Sequence, residues 1–527
     1  MGTILYPPTL DWSYMTQRPQ QLMRQFARDG HSVLFYNKQA QDGQVIEYPE
    51  PGIAVIRHAQ AFEDELIAHL PRESRLFWTS WSRRLPQARR VHADYTVYDC
   101  VDDFPDWDEE ERQYAANADL IVCTAAHLET KMRHLLPKHP LCLVPNGCDH
   151  EHFAAVLTGT HRRAEEAACE EVWQRVANHP GPVIGYIGAW APWVNEEWIR
   201  SAAAIMPEAL FYIAGPSLRE ETGPLGPNVV MLGYRSYDEL PALLAMTQVC
   251  IIPFHLNRIT QSTNPVKVYE YLAAGKPVVS SALPEVLPLQ PYVATAASEE
   301  DFVRLLKKAC VGKPTQSQER AERSAYAKAF SWQERYRTAA EALDRHCAGW
   351  RQSSRLPVEE WAAYFTKQVP LRFRTVNSYY ADVCLVQDPP YIGHPPGGEY
   401  STFLLVDSRF FQGNGALRRA YLEFEAAVPA GGAPESLPTV KLAWADASVP
   451  LERLTDRSKP ESRSLGTLPL KRSADDSLVL DITSLLDALP KQGRYLLQLS
   501  ADISYPFRMD HPQFTLLRQW KTKEERA

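Results

Sequence analysis

Short apolar runs alternate with amphipathic stretches twice over along this chain, and few folds accommodate that pattern. Strands that alternate with helices pair in parallel, and a parallel sheet needs helices over both of its faces. The first series begins with "TILYPP", followed by "TQRPQQLMRQFARDG", which sets Leu22 and Phe26 at helical spacing before Gly30 stops the helix. "SVLFYN", "ESRLFWTS", "YTVYDC", "ADLIVCT" and "CLVPNG" supply further strands of a doubly wound domain over residues 1–155. Residues 156–179 are polar and helix-prone and read as a connection. The second series, "PVIGYIGAW", "ALFYIAGP", "NVVMLGY", "VCIIPF" and "KPVVSS", predicts another doubly wound domain over 180–349, closed by the amphipathic helix "FSWQERYRTAAEALDRHC".

The character changes after residue 350. Residues 350–372 read as a linker, with "VEEWAAYFTKQV" as one more helix. From 373 to 520, runs such as "YYADVCLVQ", "STFLLVD", "RRAYLEFEAAV", "TVKLAWADA", "SLVLDIT" and "RYLLQLSADI" recur between polar gaps and predict an antiparallel β-sandwich. Tyr379, Tyr380, Phe410, Phe411 and Tyr505 are candidates for stacking on sugar rings, against core packing as the common fate of strand aromatics. The module is expected to hold a carbohydrate or a partner.

A net charge of -8 over 527 residues argues against a nucleic-acid binder. The nine cysteines are scattered without zinc-type spacing, as expected of reduced thiols. "MGTILYPPTLDW" has no basic start followed by a long apolar run, and nowhere do 18 apolar residues follow one another, so a cytoplasmic chain without a membrane span is expected. Peripheral contact with a membrane remains compatible with this composition.

Two doubly wound domains in series leave a gap facing the C-terminal ends of their strands, where such sheets bind ligands. The most informative segment is "FHLNRITQSTNPVKVYEYLAAGKPVVSS", residues 254–281. Asn264 and Pro265 suit the N-cap and first position of a helix carrying Lys267 and Glu270. Such a helix start is an anion site, Lys267 adds a positive charge, and Glu270 could accept hydroxyl hydrogen bonds. A capped helix with Lys267 and Glu270 paired on its surface is the alternative.

"NPVKVYEYLAAGKPVVSS" resembles the donor signature of GT-B glycosyltransferases, in particular the large retaining family usually numbered four. "PVIGYIGAWAPWVNEEWI", "ADLIVCTAAHLETKM" and "VPNGCDHEHF" agree with it, and "DWSYMTQRPQQLMRQFARDGHSVLFYN" with "TVYDCVDDF" resembles a subgroup that includes teichuronic-acid-type polysaccharide transferases. The resemblance covers roughly residues 1–345. It implies transfer of a sugar from a nucleotide diphosphate sugar to a glycan or lipid-linked glycan, with retention and without a metal or other cofactor. It also implies donor contacts from Gly188, Asn257, Thr260, Asn264, Pro265, Val266, Lys267 and Glu270, the last matching the second Glu of the family's E-x7-E motif. The first Glu of that motif falls on Ser262, and "GAWAPWVNEE" lacks the Arg and Lys many relatives carry there.

On the acceptor or phosphate side the expected residues are Gln17, Arg18, Asp99 and Asp102, with Asp103 as a base and Lys267 as the group that stabilises the leaving diphosphate. The acids of "YDCVDD" also admit a turn-capping role. His31 and His127 read as structural. A nucleotide-sugar epimerase of the same fold and a degenerate, glycan-binding scaffold are the alternatives.

Overall fold

The computed structural model describes residues 2–41, 43–57, 74–161, 170–219, 223–311, 317–352, 364–382, 390–396, 398–412, 416–426, 437–472, 477–505 and 507–519. The chain divides into two compact units: Met1–Leu5, Trp12–Val33 and Pro71–Arg355 form the first, and Tyr6–Asp11, Leu34–Leu70 and Leu356–Ala527 the second.

The first unit holds two parallel sheets. Strands Thr3–Tyr6, Arg75–Thr79, Tyr95–Cys100, Leu120–Cys123 and Leu141–Leu143 pair in that order in the N-terminal half. The C-terminal half orders its strands Val229–Gly233, Leu210–Ala214, Val183–Ile187, Val249–Ile252, Val278–Ser281 and Val293–Ala296, all parallel. "VIGYI", "LFYIA" and "VCII" are buried along their whole length, as helices on both faces require. Helix Trp332–His346 then returns to the N-terminal half, where Phe26 meets Tyr336 edge-on at 5.0 Å. The two passages of the chain between the halves are bonded together, Cys148 N–H donating to Phe330 O at 3.1 Å and Trp332 N–H to Cys148 O at 3.0 Å.

The second unit is an antiparallel sandwich. One sheet contains Ala416–Ala426, Phe507–Gln519, Tyr364–Pro370 and Leu478–Asp481; the other contains Arg372–Asn377, Tyr400–Asp407, Arg494–Ala501, Thr439–Asp446 and Arg463–Pro469. Leu422, Phe424 and Phe514 of one sheet share a core with Leu404, Leu442 and Leu497 of the other, each such side chain contributing about 1.5–3 kcal/mol on burial. Two local readings change. "YFTKQV" is a strand, because residues 364–370 pair with Gln513–Gln519 instead of packing as a helix. Tyr379 and Tyr380 lie in the short 3-10 turn Ser378–Tyr380, and the rest of that expected strand, residues 383–387, lies outside the described residues. The same sheet also takes in Gly43–Gln44, which pairs with Phe365 and Thr366. No sequence periodicity announced that strand.

Candidate functional site

The strand Val183–Ile187 ends at Gly188, whose φ of +137° suits glycine. A Cβ there would stand 2.4 Å from Lys267 Nζ, so the missing side chain is what lets the amine reach this strand end. Lys267 Nζ donates to the Tyr186 hydroxyl at 3.0 Å and sits 4.1 Å from the centre of that ring, with Phe254 at 5.0 Å. Cation–π and one neutral hydrogen bond replace a counter-ion. Burial pulls the amine's pKa down to about 7, against the opposing attraction of Glu270.

Glu270 is buried, at 7% exposure, and has no hydrogen-bond or ion-pair partner among the described residues. Burial pushes its carboxyl up to about 8, with Lys267 pulling down and Asp149 pushing up. The alternative of a surface ion pair is therefore excluded: Lys267 and Glu270 are desolvated separately. A lysine and a glutamate held this way cost stability, because each is taken out of water without a full counter-charge.

The helix runs Val266–Ala273, one position later than the sequence suggested. Pro265 occupies the N-cap without a side-chain cap, and Asn264 does not cap the helix. Its amide is spent elsewhere. Asn264 Oδ1 accepts from Asn146 N–H at 3.1 Å, its carbonyl accepts from Asn146 Nδ2 at 2.6 Å, and its Nδ2 donates to Glu285 Oε2 at 2.9 Å and to the Tyr269 hydroxyl at 3.1 Å. Glu285 also accepts from Ala126 N–H in the N-terminal half at 2.9 Å. The helix start thus faces the N-terminal half and is tied to it through Asn264. Among the described residues the amides of Val266 and Lys267 meet no protein acceptor, the usual condition of a first helical turn and of an anion site.

Asn257 and Thr260 bond to each other. Asn257 Oδ1 accepts from Thr260 N–H at 3.0 Å and Thr260 Oγ1 accepts from Asn257 N–H at 2.9 Å, a reciprocal cap on the short helix Arg258–Gln261. Ser262 is fully buried and donates to the carbonyls of Arg258 and Ile259 at 2.9 and 3.1 Å.

The acceptor side needs more correction. Arg18 is buried and grips Asp99 through Nε and Nη2, both at 2.8 Å in their shortest contacts, while Nη1 donates to the Val144 carbonyl at 2.9 Å and to Asn146 Oδ1 at 3.3 Å. Asp99, at 0% exposure, accepts from Trp78 Nε1 as well, at 3.1 Å. The two charges form one buried pair that also holds the loop carrying Asn146. Asp103 is likewise occupied: Lys131 Nζ lies 2.6 Å from Oδ1, and Arg258 donates to both oxygens at 2.8 and 2.9 Å. Burial raises its pKa, but the hydrogen bonds from Arg258 and Lys131 outweigh that and leave the carboxyl below its usual value. A carboxylate so held is a poor base. Gln17 stays exposed at its helix start, its N–H donating to Gln20 Oε1 at 3.1 Å.

Asp102 is the exception. It follows the C-terminal end of strand Tyr95–Cys100, is half-buried, and has no ion-pair partner among the described residues. Burial lifts its carboxyl to about 6. Arg258, Asn146 and Glu285, which join the two halves, escaped the sequence reading because their partners are more than a hundred residues away. Tyr186 was equally hidden, being one aromatic among several in an apolar run.

Residues 181–309 match the family of glycosyl transferases group 1. Over 192 residues the chain is 29% identical to a Bacillus subtilis (strain 168) protein assigned to teichuronic acid biosynthesis as the glycosyltransferase TuaH, which covers 35% of this chain and 45% of that protein. The chain therefore spans under half the length of that relative. Among solved structures, sucrose-phosphate synthase from Thermosynechococcus elongatus superposes with a TM-score of 0.50 at 15% identity over 66% of this chain and 100% of its own. An α,α-trehalose 6-phosphate synthase from Burkholderia multivorans does so with a TM-score of 0.50 at 10% identity over 66% of this chain and 98% of its own. Residues 181–309 thus resemble a glycosyl transferase group 1 domain, within a chain that shares the two-domain GT-B fold of those structures.

Proposed function

We propose that the chain transfers a sugar from a nucleotide diphosphate sugar to a glycan or lipid-linked glycan acceptor, with retention at the anomeric carbon. The observation that carries this reading is the separate desolvation of Lys267 and Glu270 beside an open helix start. The name of the Bacillus subtilis relative supports the reaction class. The Val266 and Lys267 amides with the Lys267 amine receive the diphosphate, and Glu270 accepts the ribose hydroxyls. The acceptor oxygen forms its bond to the anomeric carbon as the bond to the diphosphate oxygen breaks. Charge accumulates on that departing oxygen, where preorganised donors act. The acceptor's proton passes to a base, for which Asp102, with its carboxyl near 6, is better suited than Asp103.

The test is incubation with UDP-, GDP-, dTDP- and CMP-sugars and candidate glycans, read by mass spectrometry. Transfer that falls roughly a hundredfold or more in Lys267→Ala supports the reading. Unchanged turnover in that variant removes Lys267 from the reaction. Isomerisation of the sugar nucleotide without an acceptor means an epimerase. Nucleotide binding without any turnover means a scaffold, a reading favoured by Ser262, whose buried hydroxyl leaves no carboxylate at that position.

A further inference from the structure

Of the five aromatics singled out in the β-rich region, Phe410, Phe411 and Tyr505 pack against the sandwich core. Tyr379 and Tyr380 do not: at 72% and 50% exposure they are the most exposed aromatic side chains among the described residues. Their rings stand edge to face, 5.0 Å apart. Large apolar rings left in water usually sit on floppy tips, yet this turn is held at several points. Tyr379 N–H donates to Asn377 Oδ1 at 2.8 Å, Ser378 N–H to Glu399 O at 3.0 Å, Glu399 N–H to Ser378 Oγ at 2.8 Å, and Arg457 N–H to Ala381 O at 2.9 Å.

Two further features hold the turn in place. Asn377 is fully buried, and its Oδ1, which accepts from Tyr379 N–H, anchors the turn from the protein side. Gly398, at φ +111°, packs directly against the turn, since a Cβ there would come within 2.7 Å of both Asn377 Oδ1 and Tyr379 N. On the other flank, Arg457 pairs with Asp382 at 3.0 Å, so the patch offers hydroxyl-binding groups with no net charge between them. Rigid rings with an apolar face and polar tips, bordered by a carboxylate and a guanidinium, suit an uncharged sugar chain. We propose that the turn Ser378–Asp382, with Gly398 and Arg457, is a binding site for a neutral glycan. The choice of glycan rests on the transferase reading of the first unit.

The test uses the full chain in native gels cast with dextran, soluble starch or hydroxyethyl cellulose. The expected result is retardation by at least one polymer, weakened about tenfold or more in Tyr379→Ala/Tyr380→Ala and retained in Tyr379→Phe/Tyr380→Phe, with unchanged melting temperatures. Gly398→Ala should also weaken binding with both tyrosines in place, through displacement of Tyr379. Lys267→Ala should be retarded like the parent chain, and a parent chain that is retarded but transfers no sugar counts against the first unit's activity alone. A parent chain that no polymer retards, or a double alanine variant retarded as strongly as the parent, overturns the proposal.

Discussion

At pH 9 the free site should hold Lys267 almost entirely neutral, about 1% protonated, because its pKa lies near 7. Glu270, near 8, should be about 90% ionised there. A diphosphate seated at the helix start brings full negative charge against the amine. Restoring Lys267 to its ordinary 10.5 from about 7 requires about 5 kcal/mol. One unit charge about 3 Å away attracts it by about 5–6 kcal/mol at an effective dielectric of 20. Lys267 therefore becomes protonated on binding, and Glu270 has only about a tenth of a proton left to release. The complex should draw about 0.9 proton from the buffer. Calorimetry in two buffers of different ionisation enthalpy, with whichever of UDP, GDP or dTDP binds most tightly, reads this number directly. The terminal phosphate is already ionised at that pH and contributes nothing. Lys267→Met should abolish the uptake. An uptake below about 0.3 proton, or one that survives in Lys267→Met, would refute the seat assigned to the diphosphate.

Glu270→Gln should raise the melting temperature at pH 8–9 by a few degrees. The carboxyl's folded value, near 8, lies above its ordinary 4.5, so the parent chain loses stability as pH rises between them, and the advantage of the variant should vanish below about pH 4.5. Arg18→Ala leaves Asp99 buried and unpaired and should cost about 3–5 kcal/mol in denaturant unfolding; a loss under 1 kcal/mol would show that the pair is dispensable. Gly188→Ala puts a methyl group where the Lys267 amine stands and should weaken nucleoside diphosphate binding about tenfold or more with the fold intact; unchanged affinity would mean that the amine lies outside the contact.

The two parallel sheets were legible because complete burial leaves continuous apolar runs such as "LIVC" and "VCII". The helix that begins at Val266, and the Gly188 strand end beside Lys267, were legible for another reason: a helix start after a buried strand is a local pattern, and local patterns survive in one sequence. The ion-pair partners of Arg18, Asp99 and Asp103 were not legible, because a charged residue near a strand end looks the same whether it awaits a substrate or a distant counter-ion. Only the fold reveals that Asp103 faces Arg258 across the two halves. The reciprocal cap of Asn257 and Thr260 was hidden on a smaller scale, since a cap and a ligand contact draw on the same polar residue types.

The bonds from Cys148 to Phe330 and Trp332 tie the two passages between the halves into one short ladder of backbone, so neither passage can shift without the other. Asn146 lies two residues before Cys148 in sequence and is bonded to Asn264, just ahead of the helix Val266–Ala273. A change in the angle between the halves is therefore coupled directly to that helix start, because one stretch of chain both joins the halves and holds Asn264.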